Sequence, residues 1–303
     1  MIAPTKRIAN FDWVETTALT IDEQQTLMKQ YDITDDILTY VTDKDETSNY
    51  VYDPDNNQQL LIALVPYQLK DPKQLRYIAR PVGFLIHNGT LFTFNDSNLN
   101  FVADAFAKAS QDPDVATPTM FILQSLFALM DSYIPIVRLI TRQRNQLDKI
   151  LNREAKNTNL LSLSYLGQTL TFFTSAMQSN SSLFARIPRT HLGVNATSDE
   201  KDSLEDVTIE ADQVAHMIEN EAQVVDRIVA TFDSIINNNM NDTMRFLTIW
   251  SLTMAVPTIV TGFYGMNVQL PLAGLHDAWL IAVALSLALI VWLLITIKLQ
   301  KKR

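Results

Sequence analysis

The chain has 303 residues, 33 acidic and 24 basic, for a formal charge of −9, and it contains no cysteine. The acidic balance argues against nucleic acid as a partner and suits cations. Without cysteine there can be no disulfide, thiolate zinc site or cysteine nucleophile.

The N-terminus, MIAPTKRIANFDWVETT, lacks the apolar core of a secretory signal, and acids follow too soon for a mitochondrial transit peptide. The bulk of the protein is therefore expected in the cytoplasm of a prokaryote. FDWVET reads as a strand. Thr20 to Glu23 (TIDE) is a capping box that opens a helix. DITDDIL opens another, with Asp35 and Asp36 well placed in its first turn. QQLLIALVPYQL, PVGFLIHNG and TLFTFND read as strands, the last two joined by the hairpin dipeptide Asn88-Gly89. Residues 1–116 are thus expected to form an α/β (α+β) domain. The chain has only seven glycines and no phosphate loop, and its histidines, His87 among them, show no metal spacing. No catalytic constellation is present, so an enzyme is not expected.

Residues 117–196 turn helical. Thr117 caps and Pro118 occupies the first helical position. That helix runs to about Asn157 with a kink or break near Pro135, and a second spans roughly Leu160 to Arg186 before Pro188 stops it. RTHLGVNATSDE reads as a turn, and Thr197 to Glu200 forms another capping box. Beyond it no Pro or Gly appears from Ser198 until Pro257. About 65 helical residues would make a rod on the order of 100 Å long, with residues 197–245 as a stalk. Leu204, Val207, Ala211, Val214, Ile218, Val225, Ile228, Phe232 and Ile235 form a heptad-like seam interrupted by Glu221. Beside it runs one acid every seven residues: Glu205, Asp212, Glu219, Asp226 and Asp233. Two readings stand: a solvated face paired with Arg138, Arg142, Arg144 and Arg153, or a surface that collects divalent cations.

Residues 246–264 and 278–297 carry no charge and are each close to the ~20 residues that cross a bilayer. Arg245 precedes the first span, and Lys298, Lys301, Lys302 and Arg303 lie in a basic tail after the second (298–303). The loop 265–277 has neither Lys nor Arg. By the positive-inside rule both termini are cytoplasmic and the loop is outside, in a prokaryotic inner or plasma membrane. Along the first span Ser251, Ala255, Thr258 and Gly262 share one face, with Leu247, Met244 and Asn241 below them. Such a face serves either close helix packing or the lining of a pore, which would need several copies. NNNMND, Asn237 to Asp242, lies at the inner mouth.

YGMN directly after the first of two C-terminal spans, a basic tail, and a long helix entering the membrane together resemble the CorA family of magnesium channels and transporters. The resemblance implies a funnel-shaped homopentamer with an α/β cytoplasmic domain, stalk helices and a pore lined by the first span of each copy. It implies Gly265, Met266 and Asn267 as the selectivity motif, Asn241, Met244, Leu247 and Thr258 at pore positions, and Asp206 at a regulatory cation position. The acidic stripe is a second regulatory candidate. Mg²⁺ would be both cargo and regulator, gating its own uptake from inside, with Co²⁺, Ni²⁺ and Zn²⁺ as further candidate ions. Gly265 would let the backbone turn out of the helix at positive φ, and Met266 would pack that turn against neighbouring subunits. The alternatives are a zinc or proton-coupled transporter of the same fold, and a membrane-anchored adaptor that transports nothing.

Overall fold

The structure is a computed structural model, and it describes residues 1–69, 75–151, 157–266 and 277–300. The chain divides into two units, residues 1–230 and 231–303.

The first unit is built on a six-stranded mixed sheet. Its strands are β1 (Lys6–Ile8), β2 (Phe11–Thr17), β3 (Asn49–Asp53), β4 (Gln58–Gln68), β5 (Tyr77–His87) and β6 (Thr90–Asn95), in the order β1-β2-β6-β5-β4-β3. Among the described strands only β2 and β6 pair in parallel, Asp12 opposite Thr90 through Thr17 opposite Asn95. The expected hairpin closes β5 onto β6, with Asn88 at φ 48° and Gly89 at φ 75°. Consecutive left-handed residues match the twist of a two-residue hairpin.

Both faces of the sheet are covered, and this is why the strands read as near-continuous apolar runs. One face carries Val14, Leu60, Ile62, Leu85, Phe92 and Phe94, packed with Leu27 of α1 (Ile21–Tyr31) and Ile37 and Leu38 of α2 (Asp35–Thr42). The other face carries Phe11, Trp13 and Phe84. These meet Phe106 of α3 (Asn100–Gln111) and Phe121 of α4 (Pro118–Asp131) with ring centroids 5.2–6.4 Å apart. Burying an aromatic or aliphatic side chain of this size is worth about 1.5–3 kcal/mol, so the two layers fix the sheet between helices.

The helical part follows its caps. Thr117 accepts from the Met120 amide at 3.1 Å, and Pro118 sits at the first helical position. α4 ends at Asp131 and α5 (Tyr133–Leu151) restarts after Ser132, because Pro135 offers no amide to the carbonyl of Asp131. α6 (Asn157–Arg186) is pinned to the sheet by Asn180, which is fully buried. Its Oδ1 accepts from the Leu64 amide and its Nδ2 donates to the Leu64 carbonyl, each at 2.9 Å. The segment read as a turn after Pro188 holds a one-turn helix, α7 (His191–Val194). No side chain fits at Gly193: a Cβ there would stand 2.1 Å from the Ile187 carbonyl oxygen.

α8 (Ser198–Tyr264) is one continuous helix of 67 residues and passes through Pro257. The expected capping box is present, with the Thr197 amide donating to Glu200 at 2.7 Å and the Glu200 amide to Thr197 Oγ1 at 3.3 Å. Glu200 also accepts from the Thr117 hydroxyl, tying the start of α8 to the cap of α4. The seam is buried from Leu204 to Val225 and again at Phe232. Its polar interruption, Glu221, is buried as well, and pairs with Arg144 of α5. In the second unit, the last part of α8 is joined by α9 (Ala278–Gln300).

Candidate ion pathway and regulatory carboxylates

Among the described residues three stretches are long and apolar enough to cross a membrane, and burial separates them. The one across α4 and α5 has 56% of its apolar window buried in the structure, whereas those of α8 and α9 have 6% each. The first is consumed by the core; the other two leave their apolar surface to an outside apolar medium or to other copies.

At 3.6 residues per turn, α8 residues can be placed by direction. Ile249, Thr253, Val256, Pro257, Val260 and Tyr264 are buried or half-buried and share one side, while Ala282 and Ser286 of α9 are buried in the same unit. Met244, Leu247, Ser251, Ala255, Thr258 and Gly262 lie within about 40° of the direction opposite Val260, and all six are exposed. Asn241 is exposed too but stands about 80° off that line. The upper residues of this face are small, and a Cβ at Gly262 would meet nothing within 4 Å. Met244 and Leu247 are about 60% exposed and form the bulky lower part. The Thr258 hydroxyl donates back to the Met254 carbonyl at 2.9 Å, so its oxygen presents lone pairs outward.

The helix runs on towards the motif. The Gly265 amide donates to the Thr261 carbonyl at 2.9 Å, and Met266 to Phe263 at 3.3 Å. Gly265 does not use the positive φ that glycine would allow it; Gly89 alone among the described glycines adopts one. A Cβ at Gly265 would lie 3.2 Å from the Thr261 carbonyl oxygen, a contact that a shift of a few tenths of an ångström would relieve. Met266 is exposed. Asn267 lies outside the described residues, as do most of the loop to Asp277 and the last three residues of the basic tail.

Asp206 is exposed on the first turns of α8, at the edge of a cavity of about 310 Å³ between α3, α4 and α8 that Lys108 and Asp112 also line. Glu205, Asp212, Glu219, Asp226 and Asp233 are all exposed. Among the described residues none of the five stands within ion-pair distance of a cation. The arginine pairing that one reading of the stripe offered is thus not seen among the described residues; Arg153 lies outside them, and Arg144 is taken by Glu221, which the stripe does not include. Among the described residues no three Asp, Glu or His side chains converge on one point. One further acid stands apart: Glu210 has an Oε1 shut off from solvent with no hydrogen-bond partner among the described residues, and burial, then the nearby Asp131, push its carboxyl above the usual range.

An α/β domain is followed by one continuous helix whose C-terminal part, like α9, leaves a long apolar surface uncovered, as a membrane-spanning segment would. The sequence model of the CorA-like Mg²⁺ transporter proteins matches residues 9–302, and the chain belongs to that family, one of transporters rather than enzymes. A cobalt/magnesium transport protein CorA from Methanocaldococcus jannaschii is 29% identical over 126 residues, 41% of this chain and 39% of that protein, so the match spans about two fifths of the relative's length. The complete structure of the CorA magnesium transporter from the same organism superposes with a TM-score of 0.80 at 21% identity, over 95% of this chain and 90% of that one. Full-length CmaX superposes with a TM-score of 0.71 at 14% identity, over 95% and 88%. At these identities the structural likeness is one of fold. It agrees with an α/β domain followed by a long helix and a C-terminal helix.

Proposed function

We propose that the chain is one subunit of a homopentameric channel that admits divalent cations, chiefly Mg²⁺, across a prokaryotic cell membrane and closes when internal Mg²⁺ is high. The observation that carries the reading is the exposed face from Met244 to Gly262, turned away from α9 in a chain of the CorA-like family. One copy cannot enclose a pore, but several copies that meet on this face can. Its lower rings, Met244 and Leu247, are apolar and can stop ions by dewetting. Its upper part is small and weakly polar and leaves room for an ion that keeps its waters. The termini lie on the cytoplasmic side, where Arg245 and Lys298 flank the spans. A divalent ion then gains roughly twice the ~2.3 kcal/mol per charge that 100 mV supplies, enough to drive uptake without a coupled reaction.

The test is growth rescue of a magnesium-transport-deficient bacterium together with ion-selective dye uptake in proteoliposomes. Mg²⁺ entry that follows the membrane potential supports the reading; entry that needs a proton gradient, or Zn²⁺ entry alone, replaces it. In the same assay Leu247→Ser is expected to leak, with current persisting at high internal Mg²⁺. A variant that shuts off like the parent moves the gate elsewhere.

Closure is assigned to carboxylates between copies. Two unscreened carboxylates at ~4 Å repel by about 4 kcal/mol at an effective dielectric of ~20. A bridging hydrated Mg²⁺ removes that cost and favours the closed ring. Asp206 is the first candidate and the stripe from Glu205 to Asp233 the second; Asp112, on the same cavity as Asp206, is a further carboxylate within reach of α8. Asp206→Asn is expected to shift Mg²⁺-dependent protection of residues 1–230 from protease to higher Mg²⁺. Protection at the parent's concentration would remove Asp206 from the sensor.

A further inference from the structure

The α/β domain holds a second cavity, of about 330 Å³, far along the chain from the spans. It opens at the carboxyl ends of β2 and β6, the one parallel pair among the described strands: Thr16, Ala18 and Leu19 come from the end of β2, and Asn95 and Asp96 from the end of β6. Crevices at the carboxyl ends of parallel strands are where open α/β sheets take ligands, and the volume lies in the range of small-molecule sites.

Its lining is charged. Arg80 and Lys44 supply two positive charges, Asp43 and Asp96 two negative ones. Arg80 makes both of its hydrogen bonds among the described residues through Nη1, to the Lys44 carbonyl at 3.0 Å and to Asp45 at 2.8 Å. Its Nε–Nη2 edge is left to grip a planar anion in bidentate fashion. Lys44 is largely exposed and stands 3.9 Å from Asp96, too loose a pair to seal the mouth. In the wall, Asn95 Oδ1 is shut off from solvent and has no hydrogen-bond partner among the described residues. A buried acceptor left unpaired costs about 1–3 kcal/mol and calls for an N–H donor. At the rim Ala18 is held at φ 46°, a strained conformation for a residue with a Cβ.

We propose that this cavity binds a small zwitterion of the α-amino-acid type, its carboxylate on Arg80 and Lys44 and its ammonium on Asn95 and Asp96. With Asp45 on Arg80, the carboxylates outnumber the cations, which favours a ligand that brings its own positive charge over a phosphate, which would face Asp43 and Asp96. Of the two aromatics in the lining, Phe94 is buried in the core, and Tyr67 already carries Arg80 over its ring at 5.8 Å while its hydroxyl accepts from Asn98. A nucleotide is therefore disfavoured on two counts. The inference does not rest on the transport reading, and its test measures binding alone.

The full-length protein in detergent should be titrated calorimetrically with each of the twenty amino acids, and with AMP, ATP and inorganic phosphate. Saturable binding of at least one amino acid with Kd of about 1 mM or tighter is expected. Asn95→Ala and Arg80→Gln should each weaken it by about tenfold or more, and Lys44→Ala, a change at an exposed side chain, by severalfold. Thermal unfolding of each variant checks that the fold survives, and Lys44→Ala keeps the test decisive should Arg80→Gln fail to fold. No amino acid binding to the folded parent, binding indifferent to all three substitutions, or Arg80-dependent binding of phosphate or nucleotide instead would each overturn the assignment.

Discussion

Glu221→Ala is expected to lower the unfolding free energy of the first unit by about 3–5 kcal/mol, the cost of leaving one member of a buried ion pair alone. The carboxylate accepts from Arg144 Nε at 2.8 Å and from Arg144 Nη2 and Thr141 Oγ1 at 3.0 Å each. Both side chains are largely screened from water, at 16% and 8% exposure, so solvent cannot take over when one partner goes. Before and after it on α8 stand Ile218 and Val225, which are fully buried. The stranded guanidinium would be left against that apolar seam. Arg144→Ala should cost a similar amount, since it strands the carboxylate in turn. Replacing both, as Arg144→Met with Glu221→Leu, should recover most of the loss, because desolvation of the charges offsets much of their attraction. A double-mutant cycle on urea unfolding of the full-length chain measures this. Strictly additive single costs would show that the two groups do not act as a pair.

That pair also shows what the sequence could and could not reveal. Glu221 stood out as the polar break in the α8 seam, but the arginines on or near α5 were read as partners for the acidic stripe beside it, and only folding shows that Arg144 pairs with Glu221. Local chemistry was legible wherever a residue carries its own geometric demand: Asn88-Gly89 at the hairpin, Thr117-Pro118 at a helix start, the two capping boxes, and the break before Pro135. Elements without such a demand were harder to read. α3 begins after Leu99 with no side-chain cap to announce it. β3 is a five-residue edge strand whose residues are all half-buried, so it shows no alternation. The parallel pairing of β2 with β6 joins residues 78 positions apart (Asp12 with Thr90) and has no local signature. The candidate pore face was legible as periodicity, because helical spacing alone puts Ser251, Ala255, Thr258 and Gly262 on one side. What that side meets, the spacing of one chain does not encode.

Asn267→Ala should abolish Mg²⁺ uptake while leaving insertion and assembly intact. Helical bonding on α8 persists through Gly265 and Met266, and Asn267 is the next residue in the chain. In a ring of copies its amides would stand together at the outer mouth. Mg²⁺ holds its six waters at about 2.0–2.1 Å and sheds them reluctantly. The site must therefore accept hydrogen bonds from water that stays on the ion. An amide oxygen does this without net charge; a ring of carboxylates would hold the ion too tightly to release it, and would favour competing cations. Each such bond to a charged complex is worth about 1.5–3 kcal/mol, so losing even one equivalent weakens ion capture by roughly ten- to a hundredfold. Alanine at every position of the ring should bring uptake below detection. Asn267→Gln keeps the amide but displaces it by one methylene and should retain a fraction of the flux. Asn267→Asp should bind Mg²⁺ more tightly, slow its passage and admit other divalent ions. Uptake into proteoliposomes, at matched insertion and oligomer size, checks all three; parental flux through a correctly inserted Asn267→Ala protein would show that the asparagine does not select the ion.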